Sequence, residues 1–559
     1  MEPSTTNSTD KKFDEFLDTM HPEAKKWKYI EFRCMIQDIL GSEIYGDLNS
    51  DKLGDRTIFY CITIPGENEW VRKINSNNND GLSKFELSGS NADSSQDRLS
   101  VSLVNYSFPI PDGKNKSCLI KVYDVNLVDC LRVNDIVQVG GLIEPIEFED
   151  DAELLTSKNS PQNGDRTTTN CDGKESDPAP TNQDSNNDSN TSNNNGPSDG
   201  NKHHKQLENT IMPDLDFEPA KDFPERLVPR IHVRTLKKLP HINPLLPQVI
   251  TPELIDVTRL KMARARLSTI LTQLLGGDSL TAEYLILSLI SKIHSRRVSV
   301  ENLGQLTMGL TGFKPEMRFL AEKLYELVSK ITTHSHYIDL SIANLNNLRF
   351  TPKKDHENNK MIAGTLQLPD GLYLILNETA LSEGLLTTLG TSNLGTLSHI
   401  MRWQKHKYDF QFHSVEIDTD LKILVICETK SILPVQIAIR IAKNDPETIT
   451  SMRQACEAVD DFLDEDLLNS FRYYITTLMA APEYKIPEDL RDSITEDFVK
   501  WRREADARGQ QLMSGDELSF RMSLARYLTL SHGETTLNRK FWNEICEMEV
   551  SRKARLVSA

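Results

Sequence analysis

The chain lacks most features by which a sequence declares its chemistry. Nowhere in its 559 residues does an apolar run approach the ~18 that a membrane-spanning helix requires, so no such helix is expected. Its eight cysteines (Cys34, Cys61, Cys118, Cys130, Cys171, Cys427, Cys456, Cys546) include no Cys-x-x-Cys pair. In a cytosolic or nuclear chain they read as reduced, mostly core thiols, and a zinc site would need ligands gathered from far apart. No Gly-x-Ser-x-Gly elbow or comparable Cys/His arrangement offers a nucleophile. Positive charge is scarce: 64 Lys and Arg face 82 Asp and Glu, a net charge of −18. Binding along a nucleic-acid backbone draws on clustered cations, so this balance argues against a large DNA-binding surface and suits basic protein partners. The opening residues Met1-Glu2-Pro3-Ser4-Thr5-Thr6-Asn7 hold no basic stretch running into an apolar one. No secretory signal is expected there, and Asn-x-Ser/Thr triplets such as Asn7-Ser8-Thr9 are chemically idle.

What is present is unevenly distributed. Two polar stretches, 75–97 and 150–226, are rich in Asn, Ser and Asp. Such composition buries too little apolar area to offset ordering entropy, so both are expected to be disordered. Around them, Tyr29 to Leu40, Thr57 to Ile64, Ser117 to Tyr123 and Asp135 to Ile143 are rich in β-branched and aromatic residues. Bounded by turn signals such as Pro65-Gly66 and Pro111-Asp112-Gly113, they read as strands of a small barrel over 1–149. A proline-punctuated connector, Leu227 to Pro247, follows. Helical spacing then covers about 251–275, 279–293 and 317–331, with strands near 300–310, 338–342, 372–376 and 423–427. This alternation predicts an α/β region over 227–444 with a largely buried sheet. From 445 to 559 the pattern is nearly all helical.

Two constellations have the outline of a nucleotide site. In Leu274-Leu275-Gly276-Gly277-Asp278-Ser279-Leu280-Thr281-Ala282-Glu283-Tyr284, Glu283 and Tyr284 stand where a phosphate loop carries Lys and Ser. A carboxylate facing polyphosphate repels it. Downstream, Tyr373-Leu374-Ile375-Leu376-Asn377-Glu378 is an apolar strand ending where ATPases place an Asp-Glu pair, with Asn377 a poorer partner for Mg²⁺ than Asp. Asp460 to Asp466, the His334 and His336 pair, His203-His204 and the basic run Arg259 to Arg266 read better as solvated or packed surface than as sites. Trp70 is a candidate stacking surface for bases, weakened by Glu67, Asn68 and Glu69 beside it.

Phe32-Arg33-Cys34-Met35-Ile36-Gln37-Asp38, Phe59-Tyr60-Cys61, Ile64-Pro65-Gly66-Glu67, Leu227 to Val233, His241 to Pro247 and Gly277-Asp278-Ser279-Leu280 resemble the minichromosome maintenance (MCM)-binding protein family, partners of the replicative MCM helicase. The resemblance spans nearly the whole chain outside the two polar stretches. It implies an OB-like barrel with disordered inserts, a degenerate AAA+-like α/β domain over 227–444 and a lid-like helical domain over 445–559. Against a helicase loop of the form Gly-Asp-Pro-Gly-Thr-Ala-Lys-Ser, the chain keeps Gly277, Asp278, Thr281 and Ala282 and loses the Lys and Ser. Leu397 to Gln404 is similar to a helicase helix, and Asp516 falls where the lid carries an arginine. Such an arginine is worth ~10³ or more in rate, so its loss with the loop lysine predicts neither nucleotide affinity nor turnover. The resemblance therefore implies a protein with no catalytic residue, cofactor or metal that binds MCM subunits. It also implies association with chromatin through them, nuclear residence, and support of replication and sister-chromatid cohesion by releasing MCM from chromatin or protecting free subunits. Direct nucleic-acid binding is not expected. The rival readings are an atypical active ATPase and an OB-fold protein binding single-stranded nucleic acid.

Overall fold

Alternating apolar and polar residues build the first part of the fold. The computed structural model describes residues 27–46, 53–77, 108–144, 228–298, 300–480 and 483–557. Five strands join in the order β1-β2-β3-β5-β4: β1 (Lys28–Gly46), β2 (Leu53–Ile62), β3 (Ser117–Val122), β4 (Ile136–Ile143) and β5 (Arg230–Lys238). Because β4 pairs back onto β1, they close into a barrel. Successive side chains on a strand point to opposite faces, so Ile30, Phe32, Cys34 and Ile36 enter the interior together and meet Phe59, Cys61, Ile120 and Val139. Among the described residues two short helices accompany the barrel, α1 (Glu69–Asn77) and α2 (Val125–Asp129).

Strand β5 corrects the sequence reading, which placed Leu227 to Val233 in a connector and ended the β region at 149. Residues 230–238 pair parallel with β3 and antiparallel with β4, and Ile231 and Val233 are buried in the barrel. Pro229 and Pro240 lie just outside the strand, where their missing N–H groups cost no ladder bond. Residues Ile143 and Ile231 are partners across the β4–β5 pair. The chain therefore leaves the barrel after β4 and returns beside the point of departure. The polar stretch 150–226 lies outside the described residues, as does 78–97 of the first stretch, while residues 75–77 end α1.

From residue 257 the apolar period becomes helical. Helix α3 (Val257–Leu274) buries Leu260, Ala263, Leu267, Leu271 and Leu274 along one face, the spacing of an amphipathic helix. Helix α4 (Ser279–Ile290), β6 (Thr307–Thr311), α5 (Arg318–Ile331), β7 (Ser335–Asp339) and α6 (Ile342–Asn347) follow. Next come the pair β8 (Lys353–Asp355) and β9 (Lys360–Ile362), β10 (Tyr373–Asn377), α7 (Thr388–Trp403) and the pair β11 (Lys405–Asp409) and β12 (Ser414–Asp418). Strands β13 (Lys422–Ile426) and β14 (Ile437–Arg440) complete the region. The strand expected at 338–342 ends earlier, because Ser341 caps α6 by accepting from Asn344 N.

Five of these strands form a parallel sheet in the order β14-β6-β13-β10-β7. Every residue of β6, β10 and β13 is buried, as in a sheet covered on both faces. Met308, Leu310, Tyr373 and Ile375 face one cluster shared with α3, α4 and α5. Leu374, Leu376, Ile423 and Val425 face the other, with Leu397, Ile400 and Met401 of α7. Helices α8 (Pro446–Phe462), α9 (Glu465–Ala480), α10 (Glu488–Ala507), α11 (Gly515–Ser531) and α12 (Arg539–Val557) end the chain's described part, all contributing to the first cluster. The chain is thus mixed α/β. Among the described residues no helix is long and apolar enough to cross a membrane.

The phrase Ile64-Pro65-Gly66-Glu67-Asn68 joins the barrel to the sheet. Gly66 has φ of +68°, and its carbonyl accepts from Ser335 N at the start of β7. A Cβ there would lie 2.8 Å from Leu372 Cδ1 and 2.9 Å from Ser335 O, so only glycine fits. Asn68 is buried and donates to Thr332 O while accepting from Ser335 Oγ. The Lys354–Asp38 pair (2.8 Å) and the Asn134–Tyr408 hydrogen bonds add buried polar ties from the barrel to β8 and β11.

Candidate functional site

The Gly276 to Tyr284 segment is a helix–helix turn, which corrects the sequence reading of Gly277, Asp278, Glu283 and Tyr284 as a degenerate phosphate loop. Such a loop needs a strand running into it, and here α3 precedes and α4 follows. Gly276 (φ +63°) and Gly277 (φ +89°) end α3, with Gly277 N donating to Thr272 O. Asp278 then caps α4, accepting from Thr281 N and Thr281 Oγ1. Its carboxylate also accepts from Ala442 N at 2.9 Å and from Arg555 of α12 at 2.8 Å. With Asp278 4 % exposed, that set of donors leaves no place for a phosphate. Glu283 pairs with Arg264 at 2.5 Å and accepts from Ser268 at 3.0 Å. The fully buried Tyr284 donates to Glu549 at 2.6 Å, and burial beside that carboxylate pushes its phenol well up. Burial opposes ionisation of Glu549, yet Arg552 and Tyr284 hold its carboxyl below the usual range. The four residues are therefore a joint that fastens α12 to α3 and α4.

The position at which an open parallel sheet offers a crevice is the carboxyl end of its strands, where the strand order reverses. In this sheet that is the exit of β6 and β13. The residues after β6, Gly312 to Met317, run from strand to helix α5, and nothing in the sequence reading singled them out. Gly312 N donates to Glu428 O and Phe313 N to Cys427 O, so the two strands remain laced beyond their ends. Asn444 Nδ2 donates to Gly312 O. Phe313 and Met317 are buried at 2 % and 0 % exposure in the main core. A phosphate cradle presents free N–H groups around an open concavity; this turn presents an aromatic plug.

Asn377 and Glu378 do stand at the end of β10, as their sequence position suggested. Asn377 Nδ2 donates to Asp339 at 2.7 Å, while its Oδ1 accepts from Thr379 N and Thr379 Oγ1. Asp339, at the end of β7, also accepts from Tyr337 and, at 3.5 Å, from Arg318 of α5. Glu378 accepts from Ser431 Oγ at 2.7 Å and Ile432 N at 3.3 Å. Burial raises its carboxyl, and these donors only partly offset that. Nearby, burial next to Glu378 pushes the Cys427 thiol up to about 12, which leaves it protonated and inert. Each polar group here already has partners from the chain itself.

The remaining sequence candidates are dispersed. Asp516 is exposed in the first turn of α11, and no hydrogen bond or ion pair among the described residues joins it to Asp278 or Asn377. Trp70 donates to Thr332 O, and the Arg472 guanidinium lies 4.1 Å above its ring, so the proposed stacking face is covered. Burial holds the His334 imidazole near 4 and neutral, although its hydrogen bond with Asp370 O opposes that shift. Asp460 bridges Lys323 and Lys330. In the basic run, Arg259 stacks on Tyr473 and Lys261 pairs with Glu534. Among the described residues no group of three or more His, Cys, Asp and Glu is arranged to hold a metal ion. His203-His204 lies outside them.

Comparison with known proteins follows the same outline. Residues 83–556 match the model of a family described as mini-chromosome maintenance replisome factor. The mini-chromosome maintenance complex-binding proteins of Mus musculus and Homo sapiens are each 29% identical to this chain, over 94% of it and 88% of their own length. The protein of the same name from Arabidopsis thaliana is 26% identical over 94% of this chain and 87% of its own. The phrases quoted above for the resemblance, from Gly66 at the barrel's junction to Asp278 at the helix joint, thus lie within a likeness that runs the length of the fold. The chain belongs to the mini-chromosome maintenance replisome factor family.

Proposed function

We propose that this chain is a non-catalytic binding partner and regulator of the MCM replicative helicase, acting in DNA replication. The support for binding is the alignment, along 94% of the chain, with proteins named for binding the MCM complex. The observation that carries the non-catalytic part is the plugged exit of β6, where Phe313 and Met317 fill the place a nucleotide phosphate would need. Asp278, satisfied by Arg555 and Ala442 N, argues the same way.

On this reading the barrel is OB-like, and the parallel sheet is that of a degenerate AAA+-like module. Its order, fifth, first, fourth, third and second strand in chain order, suits such a descent, with the terminal helices as the lid. A module of this shape docks beside helicase subunits and supplies none of the nucleotide contacts that a true neighbour provides. Nuclear residence, chromatin association through MCM, release of MCM or shelter of free subunits, and support of cohesion follow from the same reading.

The test is to mix the purified full chain with MCM subunits and, separately, with fluorescent ATP and Mg²⁺. The expected outcome is a stoichiometric complex with at least one MCM subunit and no nucleotide binding by the chain alone. Micromolar ATP affinity would overturn the non-catalytic reading; failure to retain any MCM subunit would overturn the binding.

A further inference from the structure

Helix α8 presents two different faces. Ile449, Met452, Cys456 and Val459 turn into the core, at the spacing of an amphipathic helix. A second row, Gln454, Ala455, Ala458 and Phe462, turns toward α3 and solvent and lines a groove of about 800 Å³. Across it stand Ile270 of α3 and the Gly276–Gly277 turn. A Cβ built on Gly277 meets nothing within 4 Å, so that part of the floor is bare backbone. Phe462, 69% exposed, forms one end. Small side chains along the wall and a large apolar one at the end are what an incoming helix needs to approach closely and anchor.

Charge distinguishes one occupant from another. Glu447, Glu457 and Asp461 are exposed on the outer flank of α8, and none of the three joins an ion pair among the described residues. Asp460, one residue away, is by contrast held by Lys323 and Lys330. Of the cations nearby, Arg453 is turned away onto Phe319 and Glu316 O, and Arg266 stands one turn before Ile270 on α3. The groove thus sets the apolar Ile270, Ala455, Ala458 and Phe462 beside an edge on which acids outnumber bases. From this we infer that it receives an amphipathic helix of an MCM subunit, with its apolar side in the groove and lysines or arginines along the edge that meets α8. This inference rests on the MCM-binding reading and names the surface that does the binding.

Three variants of the full chain test it, each first checked for an unchanged thermal unfolding midpoint. Ala458→Trp fills the groove; Glu457→Lys with Asp461→Lys reverses its edge; Asp492→Lys with Glu496→Lys, both exposed on α10 and outside the groove, is a control for charge alone. The affinity for MCM subunits should fall about tenfold or more with either groove variant and stay unchanged with the control. Charge reversal should also flatten the salt dependence of binding, because screened pairs across the edge are lost. Groove variants that bind MCM as the unaltered chain does would overturn the inference and leave the proposed function intact. An unaltered chain that binds no MCM subunit would overturn both. If the variants change the chain's own oligomeric state instead, the occupant is a second copy and the inference fails.

Discussion

The turns at Gly276–Gly277 and at Gly312 each use glycine at positive φ and each deliver the chain to a helix. The first has the residues of a phosphate loop in outline, with helices on both sides and a capping Asp278 held by α12. The second has the strand–turn–helix setting of such a loop at the switch point of a parallel sheet, and residues that fill it. Resemblance of residues and equivalence of place have separated in this molecule. The difference teaches that a loop's chemistry is defined by what enters and leaves it, since only a strand exit aims successive N–H groups at a shared crevice.

Three substitutions sharpen that contrast. The largest effect is expected from Phe313→Ala, which empties a core position at the carboxyl end of the sheet's strands and should cost about 3–5 kcal/mol in urea unfolding. It should confer no ATP affinity; micromolar binding by this variant would show that the turn is a phosphate site merely stoppered. Asn377→Asp comes next. A second carboxylate, itself buried, would then face the part-exposed Asp339, now 2.7 Å from the amide nitrogen, and the like charges should destabilise by about 2 kcal/mol at neutral pH. Calorimetry with Mg²⁺ should show no uptake of the ion, and specific uptake would break the comparison. Glu283→Lys makes the look-alike turn resemble a working loop and should cost a comparable ~2 kcal/mol, because it sets a second cation against Arg264 in a pair whose side chains are only 12% and 21% exposed. Nucleotide binding gained by this variant would return the site to Gly277.

Periodicity in the chain made much of this fold legible. Leu260 to Leu274 at helical spacing and the apolar runs at Leu372 to Leu376 and Ile423 to Cys427 announced a covered sheet with helices, and Asn377 was correctly placed at a strand end. The β5 strand was hidden because its partners lie on the far side of a long polar stretch and because Arg234, Lys237 and Lys238 break its apolar alternation. Misplacing the phosphate loop had a different cause. Helical spacing before Gly276 already spoke against a loop that requires a strand there. Arg555, which neutralises Asp278, is 277 residues away in sequence, and no local pattern encodes a contact of that separation. Phe313 looked like any core aromatic until the sheet order gave its position meaning.

The barrel's return strand also sets a timetable. Since Ile143 and Ile231 are neighbours across β4 and β5, everything between them is a closed excursion rather than a tether between parts. Doubling the length of such an excursion costs only ~0.6 kcal/mol in closure entropy, so its length is free to drift with little effect on stability. Its synthesis is not free of consequence. At ~5–20 residues per second, the ribosome needs roughly 5–20 s after completing β4 before β5 exists. During that interval four strands wait with one seam open, and an unpaired strand edge invites foreign pairing. Nascent chains of this protein should therefore be most exposed to chaperones, and to aggregation, while translation crosses the polar stretch.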